Sequence, residues 1–490
     1  MIQHLKPYPA YKDSGVPWLG QVPEHWEARR LKRIARLNPS KSEVPLAMRN
    51  DPAVFLPMER VGSDGRFDAS EVQPISALWN GFTYFRRGDV IVAKITPCFE
   101  NGKGACLQNL PTSVGFGSTE FHVIRPSAAV TAPYLYRVTT LSEFRRLGAD
   151  EMTGAAGQQR VPVEFIANFL IPLPPLAEQT AIVRFLDYMD RRIRRYIRAK
   201  QKLVKLLEEY KQTLIHQAVT GQIDVRTGKP YPAYKDSGVP WLGQVPEHWD
   251  VRRIKTIARI RYGLGQPPKE MDGGIPMLRA TNINRGTICE KDLLHVDPSD
   301  VPSNRGAFLH AGEIIVVRSG AFTADSAIVP EAYDGAVAGY DMVVTALKVS
   351  PRFLAAVLLT PYVRDDQLTV ASMRSAQPHL NAEELGAALV ALPPLPEQSA
   401  IVEYLDAQTA KIDAAIAASR REIELLRECR TRLIADVVTG KVDVREVAAR
   451  LPEEPAEEED ELEDTEETAE GEAADNEAAA ETFSEEEVEP

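Results

Sequence analysis

The chain contains one segment pattern twice, and this duplication limits the folds that it can adopt. KPYPAYKDSGVPWLGQVPEHW occupies residues 6–26 and returns at residues 229–249. LPPLAEQTAIV begins at Leu173, and LPPLPEQSAIV begins at Leu392. The middles, residues 27–172 and 250–391, differ almost throughout. A repeat of this kind predicts a duplicated structural unit. Constant frames around divergent middles favour one scaffold that carries two different specificities.

Two long helices are predicted after the middles. They run from Pro175 to Gly221 and from Pro394 to Gly440, with proline at the start and glycine at the end. Apolar residues recur at heptad spacing along both, which predicts a coiled-coil seam. The seam residues are Ile193, Ile197, Val204, Leu207 and Leu214, matched by Ile412, Ile416, Ile423, Leu426 and Leu433. Two such helices in one chain are expected to pair with each other, antiparallel, whereas a helix buried singly in a larger core is the alternative.

Polar residues interrupt the predicted seam at matching places. Lys200 and Lys211 in the first helix correspond to Ser419 and Arg430 in the second. Such residues fix the register or the partner of a coiled coil. Residues 191–198 add a basic cluster, which is interpreted either as a solvated helix face or as a surface for phosphate or a partner.

The net charge of −13 hides a basic body. Residues 452–490 carry 20 acidic side chains and no basic one, so residues 1–451 hold 57 basic and 50 acidic residues, a net of +7. A basic excess favours a polyanionic partner. The Glu/Ala-rich tail is predicted to be disordered, either solubilising or a regulatory mimic of DNA. No apolar run is long enough for a membrane span, and four cysteines without ligand spacing indicate a reduced, cytoplasmic protein.

The divergent middles are predicted to be mixed α/β domains. Residues 87–94 and 311–318 are matched apolar strands, each followed by a glycine-containing loop. Arginine and lysine suit guanine edges, and glutamine and asparagine suit adenine. The candidate DNA-contacting residues are Lys94, Asn101, Lys103, Gln158, Gln159 and Arg160 in the first domain, and Arg279, Asn282, Arg318, Ser319, Gln377 and His379 in the second.

Motifs for independent catalysis are not found in the sequence. It has no phosphate-binding G-x-x-x-x-G-K-[ST], no G-x-G-x-x-G, no H-E-x-x-H and no G-x-S-x-G. His25 and His248 lie in the repeated openings, where packing explains them. A non-catalytic protein is therefore expected, and a self-sufficient nuclease or methyltransferase is the rival interpretation.

Together, the repeated YKDSGVPWLGQVPEHW, the two LPPLxEQ segments and the two divergent middles resemble the specificity subunit of type I restriction-modification systems. The resemblance implies an α/β (α+β) fold with a pseudo-two-fold repeat: two mixed α/β target-recognition domains separated by two long helices in an antiparallel coiled coil. It implies the following segments: 1–172, a first recognition domain with its opening 6–26; 173–226, a central helix; 229–391, a second recognition domain with its opening 229–249; 392–447, a C-terminal helix; and 452–490, the acidic tail.

The resemblance also implies partners. These are double-stranded DNA with a split recognition sequence, two methyltransferase subunits and restriction subunits, with no catalytic residue and no metal in this chain. S-adenosylmethionine, ATP and Mg²⁺ are expected on the partner subunits. A non-catalytic DNA-binding or scaffold protein with duplicated domains, outside restriction-modification, is the alternative.

Overall fold

A computed structural model describes residues 5–155, 158–302, 306–373 and 378–452. The chain divides into two compact units, one made of Met1–Ile193 with Glu428–Pro490 and the other of Arg194–Arg427. Each unit therefore combines one of the two divergent middles, which are the predicted recognition domains, with parts of both long helices. Among the described residues, no helix is long and apolar enough to cross a membrane. The predicted acidic tail, residues 453–490, lies outside the described residues, and the linear segment boundaries stay a prediction.

Strands and helices alternate irregularly along the chain. The elements up to the first long helix are β1 (Tyr11–Asp13), β2 (Gln21–Pro23), β3 (Glu27–Arg30), α1 (Leu31–Ile34), β4 (Ala35–Leu37), β5 (Pro52–Leu56), β6 (Val72–Pro74), α2 (Ile75–Leu78), β7 (Thr83–Arg86), β8 (Val90–Ala93), β9 (Gly104–Cys106), β10 (Val114–Gly117), β11 (Phe121–Pro126), α3 (Ala132–Thr139), α4 (Ser142–Asp150), α5 (Val163–Asn168), β12 (Leu170–Leu173) and α6 (Leu176–Val219).

The second half repeats this order with local differences. Its elements are β13 (Tyr234–Asp236), β14 (Gln244–Pro246), β15 (Asp250–Arg253), α7 (Ile254–Ile257), β16 (Ala258–Tyr262), β17 (Glu270–Leu278), β18 (Ile283–Asn284), β19 (Thr287–Ile288), β20 (Leu294–Val296), β21 (Ile314–Val316), β22 (Ser326–Ile328), β23 (Val337–Ala338), β24 (Met342–Ala346), α8 (Pro351–Leu358), α9 (Pro361–Val363), α10 (Val370–Ser372), α11 (Ala382–Ala387), β25 (Leu389–Leu392), α12 (Leu395–Val438) and α13 (Arg445–Ala449).

The same antiparallel sheet forms the centre of each recognition domain. Its strand order is β4-β11-β8-β9 in the first unit and β16-β24-β21-β22 in the second. β8 and β21 are fully buried, because their apolar runs face side chains on both sides of the sheet. A further sheet differs between the copies: β6-β5-β10-β7 in the first and β20-β17-β23 in the second. The predicted mixed α/β class is therefore confirmed.

The two long helices, α6 and α12, each have 44 residues and pair in opposite directions. In the second unit, Lys200 lies 2.7 Å from Glu422, Arg420 donates to Glu208 at 2.8 Å, and Lys211 donates to Asp413 at 2.7 Å. The residue number rises along α6 as it falls along α12, so the pairing is antiparallel. In the first unit, Arg430 pairs with Asp190.

The apolar seam lies under these ion pairs. All ten predicted seam residues are buried or half-buried, whereas Leu203, Leu206 and Leu425 are 40–53% exposed. Lys200, Lys211 and Arg430 interrupt the seam, and each has an acidic partner on the opposite helix. Misaligned helices lose these partners, so the interruptions favour one register.

The LPPLxEQ segments anchor the start of each long helix. Glu178 accepts a hydrogen bond from the Tyr8 hydroxyl at 2.5 Å and lies 2.8 Å from His25 Nε2. Gln179 accepts from the Thr131 N–H at 2.8 Å and donates to the Ala129 carbonyl at 3.0 Å. Adjacent residues thus attach the helix to the repeated opening and to the recognition domain.

The second copy repeats these anchors and adds a hydrogen bond from the indole of Trp249. Glu397 accepts from the Tyr231 hydroxyl at 3.1 Å and from the indole N–H of Trp249 at 3.0 Å. Gln398 accepts from the Ser350 N–H at 2.7 Å. Burial alone raises the pKa of Glu397, but hydrogen bonds from His248, Trp249 and Tyr231 outweigh it and hold that pKa below its usual value.

Candidate nucleic-acid interface

In the first domain, two distant loops meet at the end of β8. The backbone N–H of Lys94 donates to the backbone carbonyl of Glu120 at 2.8 Å, and the Lys94 carbonyl accepts from the backbone N–H of Val161 at 2.8 Å. One step further, the Thr96 N–H donates to the Gln159 carbonyl at 3.0 Å. These backbone bonds gather Lys94, Gln158, Gln159 and Arg160, four of the predicted residues, beside one sheet end.

Arg160 is held by an acidic residue that the sequence did not single out. Its Nε lies 3.0 Å from Glu120 Oε2, and its Nη2 donates to Glu120 Oε1 at 2.9 Å. The hydrogen bonds from Arg160 lower the pKa of Glu120. Arg160 Nη1 also donates to the Gln158 carbonyl at 3.1 Å. The guanidinium is therefore fixed in direction, and the Gln158 side chain stays exposed beside it.

Asn101 and Lys103 lie on the loop that follows Lys94. The Asn101 N–H donates to the Pro97 carbonyl at 2.9 Å, and the Lys103 N–H donates to the Cys98 carbonyl at 2.9 Å. The Lys103 carbonyl accepts from Ala93 at 2.9 Å, which returns the loop to the sheet. Asn101 is exposed and Lys103 is half-buried. The loop thus presents an exposed amide and a half-buried cation near the same sheet end.

The second domain builds the equivalent junction at the end of β21. The Leu380 N–H donates to the Arg318 carbonyl at 2.7 Å, and Ser319 and His379 form an isolated β-bridge. This pairing matches that of Lys94 with Val161 and of Ile95 with Arg160. Arg318, Ser319 and His379 therefore lie together, while Gln377 lies outside the described residues.

Two tyrosines enclose the Arg318 guanidinium. Its Cζ lies 4.7 Å from the ring centroid of Tyr262 and 4.3 Å from that of Tyr340, and the two tyrosines are 41% and 46% exposed. Contacts of this length are cation–π interactions, which are strongest when the cation has lost water. The arrangement fixes the guanidinium plane while the rings keep contact with solvent.

Polar contacts further fix Arg318. Its Nη2 lies 2.8 Å from His379 Nε2. Since arginine has only donors, His379 Nε2 is the acceptor in this contact. The Arg318 backbone N–H donates to Asp341 at 3.2 Å, and burial raises the pKa of this carboxyl to about 6. Arg318 Nε is buried without a hydrogen-bond partner among the described residues.

Asn282 has a structural role that excludes it from the DNA-contacting set. Its side chain is fully buried. Its Oδ1 accepts from the Arg279 N–H at 3.1 Å, and its Nδ2 donates to the carbonyls of Cys289 at 3.1 Å and Lys291 at 3.0 Å. These bonds hold the turn between β17 and β19 and leave no donor for a base. Arg279 is half-buried and donates to the Asp292 carbonyl at 2.8 Å.

Sequence reasoning missed the residues that orient the cations. Glu120 and Asp341 stand directly before β11 and β24, at equivalent places in the two copies. An acidic residue immediately before a buried strand is therefore a pattern that becomes visible when the sequences of the two repeats are aligned. Tyr262 and Tyr340 follow no shared pattern, because Tyr262 ends β16 whereas Tyr340 lies in the segment between β23 and β24. The described residues contain no cluster of His, Cys, Asp and Glu that could hold a metal.

Comparison with known proteins gives one consistent family. The sequence model of the type I restriction modification DNA specificity domain matches residues 23–205 and 246–425. The specificity subunit of the EcoAI type I restriction enzyme of Escherichia coli is 27% identical over 390 residues, which is 64% of this chain and 64% of that protein. The EcoEI specificity subunit, also from Escherichia coli, is 35% identical over 218 residues, 42% of this chain and 35% of that protein. The matched regions thus span less than two thirds of these relatives.

A solved structure shares the fold. It was described as the structural basis of complex assembly and conformational transition of a type I R-M system. The two chains superpose with a TM-score of 0.64 at 19% identity, over 85% of this chain and 98% of the other. At this identity the likeness concerns the fold alone.

Proposed function

Because this chain belongs to the family of type I restriction modification DNA specificity domains, we propose that it is the specificity subunit of such a system. In this role it recognises a bipartite DNA target, with each recognition domain reading one half. It directs methyltransferase and restriction subunits to that target and performs no catalysis itself.

One observation carries the proposal of two specificities. The junction at the end of β8 and the junction at the end of β21 have the same backbone pairing but different side chains. Lys94 and Arg160, with Glu120, occupy the first, and Arg318 and His379, with Asp341, occupy the second. Equivalent scaffolds with different polar groups suit the reading of two different base sequences.

The chemistry of each junction favours different bases. The planar Arg318 guanidinium suits the O6 and N7 acceptors of guanine in the major groove. The exposed Gln158 amide suits the N6 and N7 of adenine. Lys94, Lys103 and Arg279 are proposed to add cationic contacts that position the duplex.

Two methyltransferase subunits and restriction subunits are the proposed partners. S-adenosylmethionine, ATP and Mg²⁺ are proposed to bind those subunits. The family membership supports this assignment, and the stoichiometry rests on the resemblance alone.

The test is the methylated sequence in cells. The chain is co-expressed with the type I methyltransferase subunit of its own system in a host without other adenine methylation, and methylated sites are sequenced. Arg318→Ala is expected to relax one position in one half of the motif, and Gln158→Ala to relax one position in the other half. Lys348→Ala, an exposed cation away from both junctions, is the matched control and keeps the motif.

Two outcomes would contradict the proposal. If the Arg318→Ala and Gln158→Ala variants both methylate the original full motif, these junctions do not recognise bases. A change in both halves from either single substitution would show that the domains do not read independently.

A further inference from the structure

A continuous cationic surface runs along α6. Residues 191–205 contain eight basic side chains and no acidic one. The corresponding stretch of α12, residues 410–424, has three basic and three acidic side chains. Since α12 forms its half of the same coiled coil without this charge, the coiled coil itself does not require it. The concentration of charge on one helix points to a polyanionic ligand.

Six basic residues of α6 share one side of the helix, opposite to the seam, whereas Lys200 interrupts the seam itself. At about 100° per residue, Ile193, Ile197 and Val204 fall on the far side. The cationic face lies within an arc of about 80°. It consists of Arg184, Arg191, Arg195, Arg198, Lys202 and Lys205, all exposed. Asp187 falls in the same arc, and its carboxylate is paired with Arg137 at 2.5 Å.

The chain leaves the first unit beside this face. After α13, the carbonyl of Leu451 accepts a hydrogen bond from Arg184 Nη2 at 2.7 Å, and Leu451 is buried. The following 38 residues, 453–490, carry 20 acidic side chains and no basic one. The last described residues before this acidic segment therefore lie at the Arg184 end of the cationic face.

We propose that the acidic segment 453–490 binds the cationic face of α6 and competes there with the phosphate backbone of DNA. The segment then acts as an intramolecular polyanion that suppresses sequence-independent binding. Specific binding through the recognition loops is less affected, because base contacts do not depend on this face.

The length of the segment fits this role. From Arg184 to Lys205 the face extends about 32 Å at ~1.5 Å per residue. At ~3.3 Å per residue, 38 residues have a reach of at most about 125 Å, so the segment is long enough to follow the whole face. Tethering to the same chain gives a local concentration in the mM range. The segment therefore outcompetes free polyanions of comparable intrinsic affinity.

Zero-length carbodiimide cross-linking of the full chain tests the contact. This reagent joins a lysine amine to a carboxylate in direct contact. Cross-links are expected from the 453–490 carboxylates to Lys202 and Lys205, and they are expected to disappear at 1 M salt. Lys211–Asp413, paired at 2.7 Å, is an internal positive control. Cross-links spread equally over Lys255, Lys269 and Lys291 of the second domain, or none from the segment, would overturn the proposal.

A double-mutant cycle tests the competition. Replacing the 20 acids of the segment by Gln and Asn is expected to strengthen binding to a non-specific duplex at least tenfold at 50 mM salt. In a chain with Arg191→Gln, Arg195→Gln, Arg198→Gln and Lys202→Gln, the same replacement is expected to change binding less than twofold. The control, Lys411→Gln with Arg421→Gln on α12, keeps the tenfold gain.

The double-mutant cycle distinguishes docking of the acidic segment on α6 from repulsion of DNA by the net charge of the chain. An equal gain in the α6 variant would show that the segment repels DNA through net charge alone, and it would overturn the proposal. No gain in the otherwise unchanged chain would overturn it as well. Retention of the Lys211–Asp413 cross-link shows that each variant keeps its paired helices.

Discussion

Gly440, the residue at the end of the second long helix, lies against the ring of Trp26 near the start of the chain. A Cβ atom at Gly440 would be 2.9 Å from Trp26 Cζ3 and 2.4 Å from Pro23 Cδ. Gly221 has the equivalent relation to Trp249 and Pro246 in the second unit. In each unit, therefore, a repeated opening packs on the end of a long helix, and in the first unit the opening and the helix end come from opposite ends of the sequence.

Gly440→Ala is expected to destabilise the first unit severely. The residue has a φ of +77°, so alanine adds left-handed strain of about 1–2 kcal/mol. The clash with Pro23 adds overpacking of about 1–3 kcal/mol. The matched control is Gly20→Ala, with a φ of +65° and open space around its Cβ, which reports strain alone. Thermal unfolding of the two variants measures the difference, and equal losses would contradict the packing argument.

The two buried tryptophans are expected to respond differently to phenylalanine. Trp249 donates its indole N–H to Glu397 at 3.0 Å, whereas the Trp26 N–H is buried with no partner among the described residues. Both substitutions remove the same volume. Trp249→Phe is therefore expected to cost about 2 kcal/mol more, since it loses a hydrogen bond to a carboxylate. Denaturant unfolding of both variants checks this, and a larger loss for Trp26→Phe would refute it.

Arg318→Lys is expected to separate the contribution of the guanidinium geometry to DNA binding from that of its positive charge. Lysine keeps the positive charge but loses the planar fork between Tyr262 and Tyr340. Affinity for the specific site is expected to fall by about 1–3 kcal/mol, while non-specific affinity and its salt dependence stay unchanged. Fluorescence anisotropy of the assembled complex with labelled duplexes measures both. If non-specific binding falls equally, Arg318 acts through charge and not through base recognition.

Asp341 is expected to make stability depend on pH. Burial raises its pKa from 3.8 to about 6, so the protonated form stabilises the fold below pH 4 and this contribution is lost as the pH rises to 6. At pH 7 the ionised group costs about 3 kcal/mol, at ~1.4 kcal/mol per pKa unit. Asp341→Asn keeps an acceptor for the Arg318 N–H.

The measurement is the difference in thermal unfolding between the original chain and Asp341→Asn from pH 4.5 to 8. The variant is expected to become relatively more stable as the pH rises, with no further change above pH 7. A constant difference over this range would show that Asp341 is ionised throughout.

The repeat, the two long helices and the class of fold were predictable from the sequence. Heptad spacing, proline at the helix start and glycine at its end are local signals, and α6 and α12 begin and end within two residues of the predicted bounds. The positions of Arg318 and Arg160 were also predictable in part, because each follows or joins a strand that recurs in both copies.

The neighbours of those residues were not predictable, because they come from distant parts of the chain. Asn282 has the amide that suits adenine, yet tertiary packing buries it and directs that amide to its own turn. Arg318 gains its fixed plane from Tyr262 and Tyr340, which lie 56 and 22 positions away, on β16 and in the segment between β23 and β24. The sequence determined which groups are present and their local periodicity. Only the tertiary structure decided which of them face each other, because burial and hydrogen bonding depend on long-range contacts that a local pattern does not encode.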